Sequence, residues 1–306
     1  MKSRGEKRCC VPKYSRPHGV YKRSSDGQTI QRYYCSVCKS TYSSATLSPL
    51  KWQKKRQINH LLMELLSSNV SLSAAARMLR VNPKTVAKKL LFLGAICEKR
   101  NQKNALNYRS VDHIQFDELQ TIEHTKCKPL SVAMAVSKNE RKILGFNVSS
   151  MPASGHLATI SRKKYGVRPD HRKAGLTDLF NGLSRFLSPT ITISSDECSF
   201  YKGVVRQYFP KAIVNQHTGK KSSVAGQGEL KKTRFDPIFS INHTFAMLRA
   251  NVSRLIRKTW NTTKKVSCLI CHLNIYVWMH NGTVAKYLFL RLVSPTLSSL
   301  TLSKLR

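Results

Sequence analysis

The sequence predicts an α/β protein: a mixed sheet flanked by helices, preceded by a zinc ribbon and a helix-turn-helix. Three observations carry that prediction. Three β-prone runs are followed by alternating helix and strand. A C-x2-C pair ends a hairpin near the start of the chain. Between them, three short helical segments include a tight turn before a lysine-bearing helix.

Composition sets the terms. A chain of 306 residues has room for two or three domains, and 41% hydrophobic residues suffice for a core. Lysine and arginine number 53 against 15 acids, a net charge of +38. That excess points to a polyanion, and its spread through periodic sequence favours a nucleic acid over an acidic membrane surface. The first ten residues hold no apolar core of a signal peptide, and no run of 18 apolar residues occurs. A cytoplasmic, nucleoid-associated protein with no membrane partner is therefore expected. Nine cysteines in such a setting suggest reduced thiols and metal ligation rather than disulfides.

Residues 1–48 form the predicted zinc ribbon. "GVYKRSSDGQTIQRYYC" reads as strand, Asp26-Gly27 turn, strand, and runs into the knuckle Cys35 and Cys38. Cys9 and Cys10 are the expected partners, with His18 as a possible fourth ligand. A structural Zn²⁺ would hold a hairpin too small to fold by apolar burial. The plainer reading is a lone C-x2-C with incidental upstream cysteines.

Residues 50–95 have helical spacing. "QINHLLMELLSS" is followed by "SLSAAARMLR", which Ser71 or Ser73 would cap. Asn82 then caps a third helix with Pro83 in its first position. Lys84, Thr85, Lys88 and Lys89 are expected on the exposed side of that helix as DNA-binding residues. A generic bundle with a solvated lysine face is the alternative. Residues 96–110 read as a polar linker.

Residues 111–285 form the predicted catalytic domain. "HIQFDEL", "PLSVAMAV" and "KILGFNV" are strands; "AGLTDLFNGLSRFL" is a helix, "PTITISSDE" a strand, "SFYKGVVRQYF" a helix and "AIVNQ" a short strand. A Gly-, Ser- and Lys-rich loop over 219–236 suits a phosphate backbone and precedes a long basic helical region. Residues 286–306 are an unassigned tail.

Acids are few, so those at strand ends matter. Asp117 and Asp196 each end a strand run. Carboxylates there project into the crevice where α/β sheets place their sites. Their mutual repulsion calls for a hard cation, Mg²⁺ or Mn²⁺, of the kind that promotes in-line attack on phosphodiesters. Simple turn-capping is the competing account. Asp236 reads as a helix N-cap before Pro237. Asn242 and Arg249, seven residues apart, share an edge of the helix stripe Phe245, Leu248, Val252 and Leu255. They are separated by roughly 10 Å along the axis. "CLICH", Cys268 to His272, reads as buried core rather than a metal site.

The order of these features resembles the DDE-class transposases of bacterial insertion sequences, of the type with an N-terminal zinc ribbon. The resemblance covers residues 9–281. It rests on "RYYCSVCKSTYSS", on spacings of 79 and 46 between the three ligands, and on "NHTFAMLRANVSRLIRKTW" followed by "TTKK". It implies a ribonuclease-H-like catalytic domain that uses magnesium for strand cleavage and strand transfer at terminal inverted repeats. It also implies a homodimer or higher oligomer on transposon ends and target DNA, in a bacterial cell. Asp117, Asp196 and Asn242 match the metal ligands, and Arg249 the basic partner. The family's usual third ligand is glutamate, so the site implied is a D-D-N variant, with Glu229 as an alternative. A DNA-binding regulator with a degenerate catalytic domain is the second reading.

Overall fold

The computed structural model describes residues 12–51, 53–218, 236–256 and 261–293. Cys9, Cys10, Glu229, most of the 219–236 loop and residues 294–306 lie outside them. The chain divides into two compact units, Met1–Leu62 and Met63–Arg306.

The first unit is built on a three-stranded antiparallel sheet, β1 (Ser15–Lys22), β2 (Thr29–Cys35) and β3 (Thr41–Ser43), with a one-turn helix α1 (Ser44–Leu47). The hairpin turn falls where the sequence predicts it. Gly27 takes φ +69°, open to glycine without strain. Asp26 Oδ1 accepts from Arg23 Nε at 2.7 Å across the turn. After β2 the chain doubles back, and the Cys35 amide donates to the Ser40 carbonyl at 2.9 Å. Among the described residues the apolar cluster here is small: Cys35 and Tyr42 are buried, with Tyr33 and Cys38 packed on them, and Ile30 is buried on β2.

The helix α2 (Asn59–Leu66) spans the boundary between the units, and α3 (Leu72–Met78) and α4 (Pro83–Ala105) follow. Ser71 caps α3 by accepting from the Ala74 amide at 3.2 Å. Asn82 Oδ1 caps α4 by accepting from the Lys84 amide at 2.8 Å, with Pro83 at the first helical position. The linker predicted over 96–110 is instead largely helix. α4 continues to Ala105 and a 3-10 turn covers Leu106–Tyr108. Nothing in "ICEKRNQKNA" breaks a helix. Its polarity reflects solvent-facing positions around buried Cys97, not a loop.

The rest of the second unit holds the strands β4 (His113–Ile122), β5 (Pro129–Ser137), β6 (Ile143–Ser150), β7 (Thr192–Asp196) and β8 (Ile213–His217). Its helices are α5 (Leu157–Tyr165), α6 (Arg172–Leu183), α7 (Tyr201–Tyr208), α8 (Phe239–Asn251) and α9 (Val266–Val293). The sheet order is β6-β5-β4-β7-β8. β4, β5 and β6 are antiparallel, while β7 and β8 run parallel to β4. This mixed sheet with helices on both faces is compatible with a ribonuclease-H-like arrangement.

Period-two alternation explains the two faces. Ile114 and Phe116 of β4, Ala133 and Ala135 of β5 and Ile193 of β7 pack against α6 and α7. Leu119 of β4 and Val132, Met134 and Val136 of β5 pack against α8 and α9. The stripe Phe245, Leu248, Val252 and Leu255 lies in this second core, as its spacing predicts. Beyond the sheet, α4 and α9 pass closely. A Cβ built on Gly94 would stand 2.4 Å from the Cys271 Cβ, so only glycine fits that crossing.

Candidate active site

Asp117 and Asp196 lie on neighbouring strands, but only Asp196 ends one; Asp117, expected at a strand end, sits in the middle of β4, which runs on to Ile122. The parallel register pairs Gln115 with Ser194 and Phe116 with Ser195, and the two aspartates are the next residues on each strand. Adjacent strands lie about 4.8 Å apart. Phe116 and Ile193 face α6 and α7, so alternation turns Asp117 and Asp196 toward the face that α8 covers. Both are half-buried. Each uses Oδ1 to accept from the next backbone amide, Glu118 N at 2.7 Å and Glu197 N at 2.8 Å. The turn-capping contact weighed in the sequence is therefore present at both, alongside the pairing.

α8 is fixed to this face by Gln115, two residues before Asp117. Gln115 is 1% exposed, and both ends of its amide are used. Nε2 donates to the Pro237 carbonyl at 2.9 Å, and Oε1 accepts from the Ile241 amide at 3.1 Å. The sequence reading missed this residue, although its period-two relation to Asp117 puts it on the same face.

Asn242 lies in the first turns of α8, half-buried, and Arg249 is exposed two turns on. Asp236 departs from its predicted role. The helix begins at Phe239 with Ile238 in the cap position, because the chain makes a turn at Pro237 first. Asp236 Oδ1 accepts from the Ile238 amide at 3.0 Å, and its Oδ2 accepts from Asn242 Nδ2 at 3.0 Å. The carboxylate thus supports the turn before α8 and also holds the Asn242 side chain.

Glu118 points to the opposite face. It accepts from the Ser131 hydroxyl at 2.8 Å and the Tyr201 hydroxyl at 3.1 Å, with Arg172 at 3.8 Å. Burial, then the charges of Glu118 and Asp117, push the Tyr201 phenol above its usual range, so it stays a donor. Glu118 therefore belongs to a network behind the aspartate pair, not to the pair itself.

Two carboxylates on adjacent strands suit a hard divalent cation. Among the described residues no three His, Cys, Asp or Glu side chains group as a metal site.

On the lysine-bearing helix α4, Lys84 and Lys88 are exposed and Thr85 is half-buried. Lys89 corrects the sequence expectation: it is 3% exposed and lies with Val86, Leu90 and Leu93 on the inner side. One residue after Lys88, it is turned 100° around the helix, onto the packed face. Burial lowers its pKa. Cys35 is buried and Cys38 half-buried at the knuckle. In "CLICH", His272 is buried as expected, while Cys268 and Cys271 are half-buried.

No protein-family model and no curated protein matches this chain. Among solved structures, it is similar to one described as a crystal structure of a pre-cleavage Mos1 transpososome. Identity is 12%, over 76% of this chain and 80% of that one, with a TM-score of 0.21. At that level of superposition the likeness carries no argument. No helix among the described residues is long and apolar enough to cross a membrane.

Proposed function

We propose that this chain is a transposase of the D-D-N type, which cleaves DNA at transposon ends and joins them to target DNA. The observation that carries the reading is the strand register. It makes Asp117 and Asp196 neighbours on the sheet face covered by the helix bearing Asn242.

Asp117, Asp196 and Asn242 would hold Mg²⁺ or Mn²⁺. When bound, the cation supplies charge stabilisation for in-line phosphodiester attack and lowers the pKa of the attacking group. The protein's own part is positioning. Gln115 sets α8 against β4, and Asn242 lies in the first turns of that helix. Arg249 extends from the exposed side of α8, about two turns from Asn242, where it would meet a phosphate. Lys84 and Lys88 of α4 would grip the terminal repeat, with α3 and α4 acting as the helix-turn-helix. Zn²⁺ on Cys35 and Cys38, with Cys9 and Cys10 as partners, would stabilise the small first unit, whose apolar cluster is slight. The active species would be a homodimer or larger oligomer on DNA.

The test is Mg²⁺-dependent nicking of the DNA that flanks the gene. Asp117→Ala and Asp196→Ala should each abolish cleavage while DNA affinity stays within about twofold. Metal-independent behaviour, with binding but no cleavage in the unaltered chain, would instead identify a DNA-binding regulator, the reading that Asn242 in place of an acid favours.

A further inference from the structure

An amide ligand has a problem that a carboxylate does not. Only one of its two terminal atoms can bind a cation, and the wrong rotamer presents an NH₂. Asn242 therefore needs something to choose its orientation. The structure holds such a group. Asp236 sits six residues upstream and accepts from Asn242 Nδ2 with Oδ2 at 3.0 Å. A carboxylate only accepts, so the Asn242 atom facing it must be the NH₂, and Oδ1 is turned the other way. The other Asp236 oxygen is engaged by the Ile238 amide at 3.0 Å, which stops the carboxylate from swinging away.

We infer that Asp236 is a positioning residue which locks the Asn242 amide with Oδ1 presented to the cation shared with Asp117 and Asp196. This rests on the cation site proposed above. It also accounts for an amide at a position where an acid is usual. A carboxylate at 242 would face Asp236 at hydrogen-bond distance, and the two would repel. The pair is matched: one acid and one amide, with the acid outside the ligand set.

The isosteric change Asp236→Asn separates positioning of Asn242 from support of the turn. Asparagine serves in such turns as well as aspartate does, so its oxygen can still accept from Ile238. Its NH₂ then faces position 242 and drives the Asn242 amide to flip, which turns Nδ2 toward the cation. The full chain, without DNA, is titrated with Mn²⁺ and free metal is read by electron paramagnetic resonance. Asp236→Asn should lose about tenfold or more in Mn²⁺ affinity, the scale of an outer-shell ligand partner, with its thermal midpoint unchanged. The exchange variant Asp236→Asn with Asn242→Asp restores the hydrogen bond with its polarity reversed, and should bind Mn²⁺ at least as tightly as the natural chain. Asn242→Asp alone should bind more weakly than that double variant. Unchanged affinity in Asp236→Asn, with a loss in Asp117→Ala, would overturn the positioning role while the cation site stands. Unchanged affinity in Asp117→Ala would overturn both.

Discussion

His272 shows how a single buried group makes the fold sensitive to acid. Its Nε2 meets the Leu66 carbonyl at 2.8 Å, and a carbonyl can only accept, so the ring is the donor there. Burial lowers its pKa from the ordinary 6.5 to about 4; the carbonyl works against that shift, and Arg254 adds to it. The folded state thus prefers neutral histidine, while the unfolded chain takes up a proton near pH 6.5. Stability from this group is complete above that pH, is lost as pH falls toward 4, and changes no further below. The loss is roughly 3 kcal/mol. His272→Gln can keep the donor to Leu66 without the titration. Urea midpoints measured from pH 7.5 to 4 should fall less steeply for the variant, and parallel curves would sink the assignment. Gly94 gives a steric counterpart. Gly94→Ala gains helix propensity but brings a methyl within 2.6 Å of the Cys271 Cα, so α4 and α9 must separate. We expect a net loss of about 1–3 kcal/mol. Gly203→Ala, exposed on α7 with nothing within 4 Å, should gain about 0.5–1 kcal/mol by the same unfolding assay.

At the scale of elements, α8 is a helix whose start is completed from outside. Its cap residue Ile238 has no side-chain acceptor, so the first-turn amide of Ile241 depends on Gln115 across the sheet. Gln115→Leu would leave that buried amide and the part-buried Pro237 carbonyl without these partners, at a cost of about 1–3 kcal/mol. The expected signature is local: hydrogen exchange at Ile241 quickens while β4 and β5 keep their protection. Uniform acceleration would mean that Gln115 supports the whole sheet rather than the helix start. This dependence also shows what the sequence could and could not reveal. The strands of the sheet were legible because alternation and turn residues are local properties, and the Asn82-Pro83 helix start was legible for the same reason. Asp117 and Asp196 stood out because acids are scarce in this chain. Gln115 was not legible, because its two partners lie more than 120 residues away in sequence. Asp236 was half legible: the turn chemistry could be read, but not its hold on Asn242. The end of α4 was not legible, because a polar stretch without a helix breaker reads equally as a loop or as a solvent-facing helix.

For the whole molecule, a net charge of +38 would make the proposed DNA affinity a question of counterions. Each phosphate neutralised releases bound cations, so the logarithm of the binding constant falls linearly with that of salt concentration, with a slope of about −0.9 per contact. Total charge alone cannot say which lysines contribute, because a buried ammonium neutralises no phosphate. Burial makes that separation on α4. Lys84 and Lys88 are exposed, while Lys89 is 3% exposed among Val86, Leu90 and Leu93. Lys84→Ala and Lys88→Ala should each reduce the salt slope by about 1. Lys89→Met removes the same formal charge but keeps a long apolar stem on the packed face, so the slope should stay as it is. Fluorescence anisotropy with a labelled DNA duplex between 50 and ~300 mM salt measures all three. Equal slope changes for the three variants would mean that the lysines act through the overall field of the protein. A change confined to Lys84 and Lys88 would mark the outer side of α4 as the surface that touches DNA, since a long-range field does not distinguish residues one position apart.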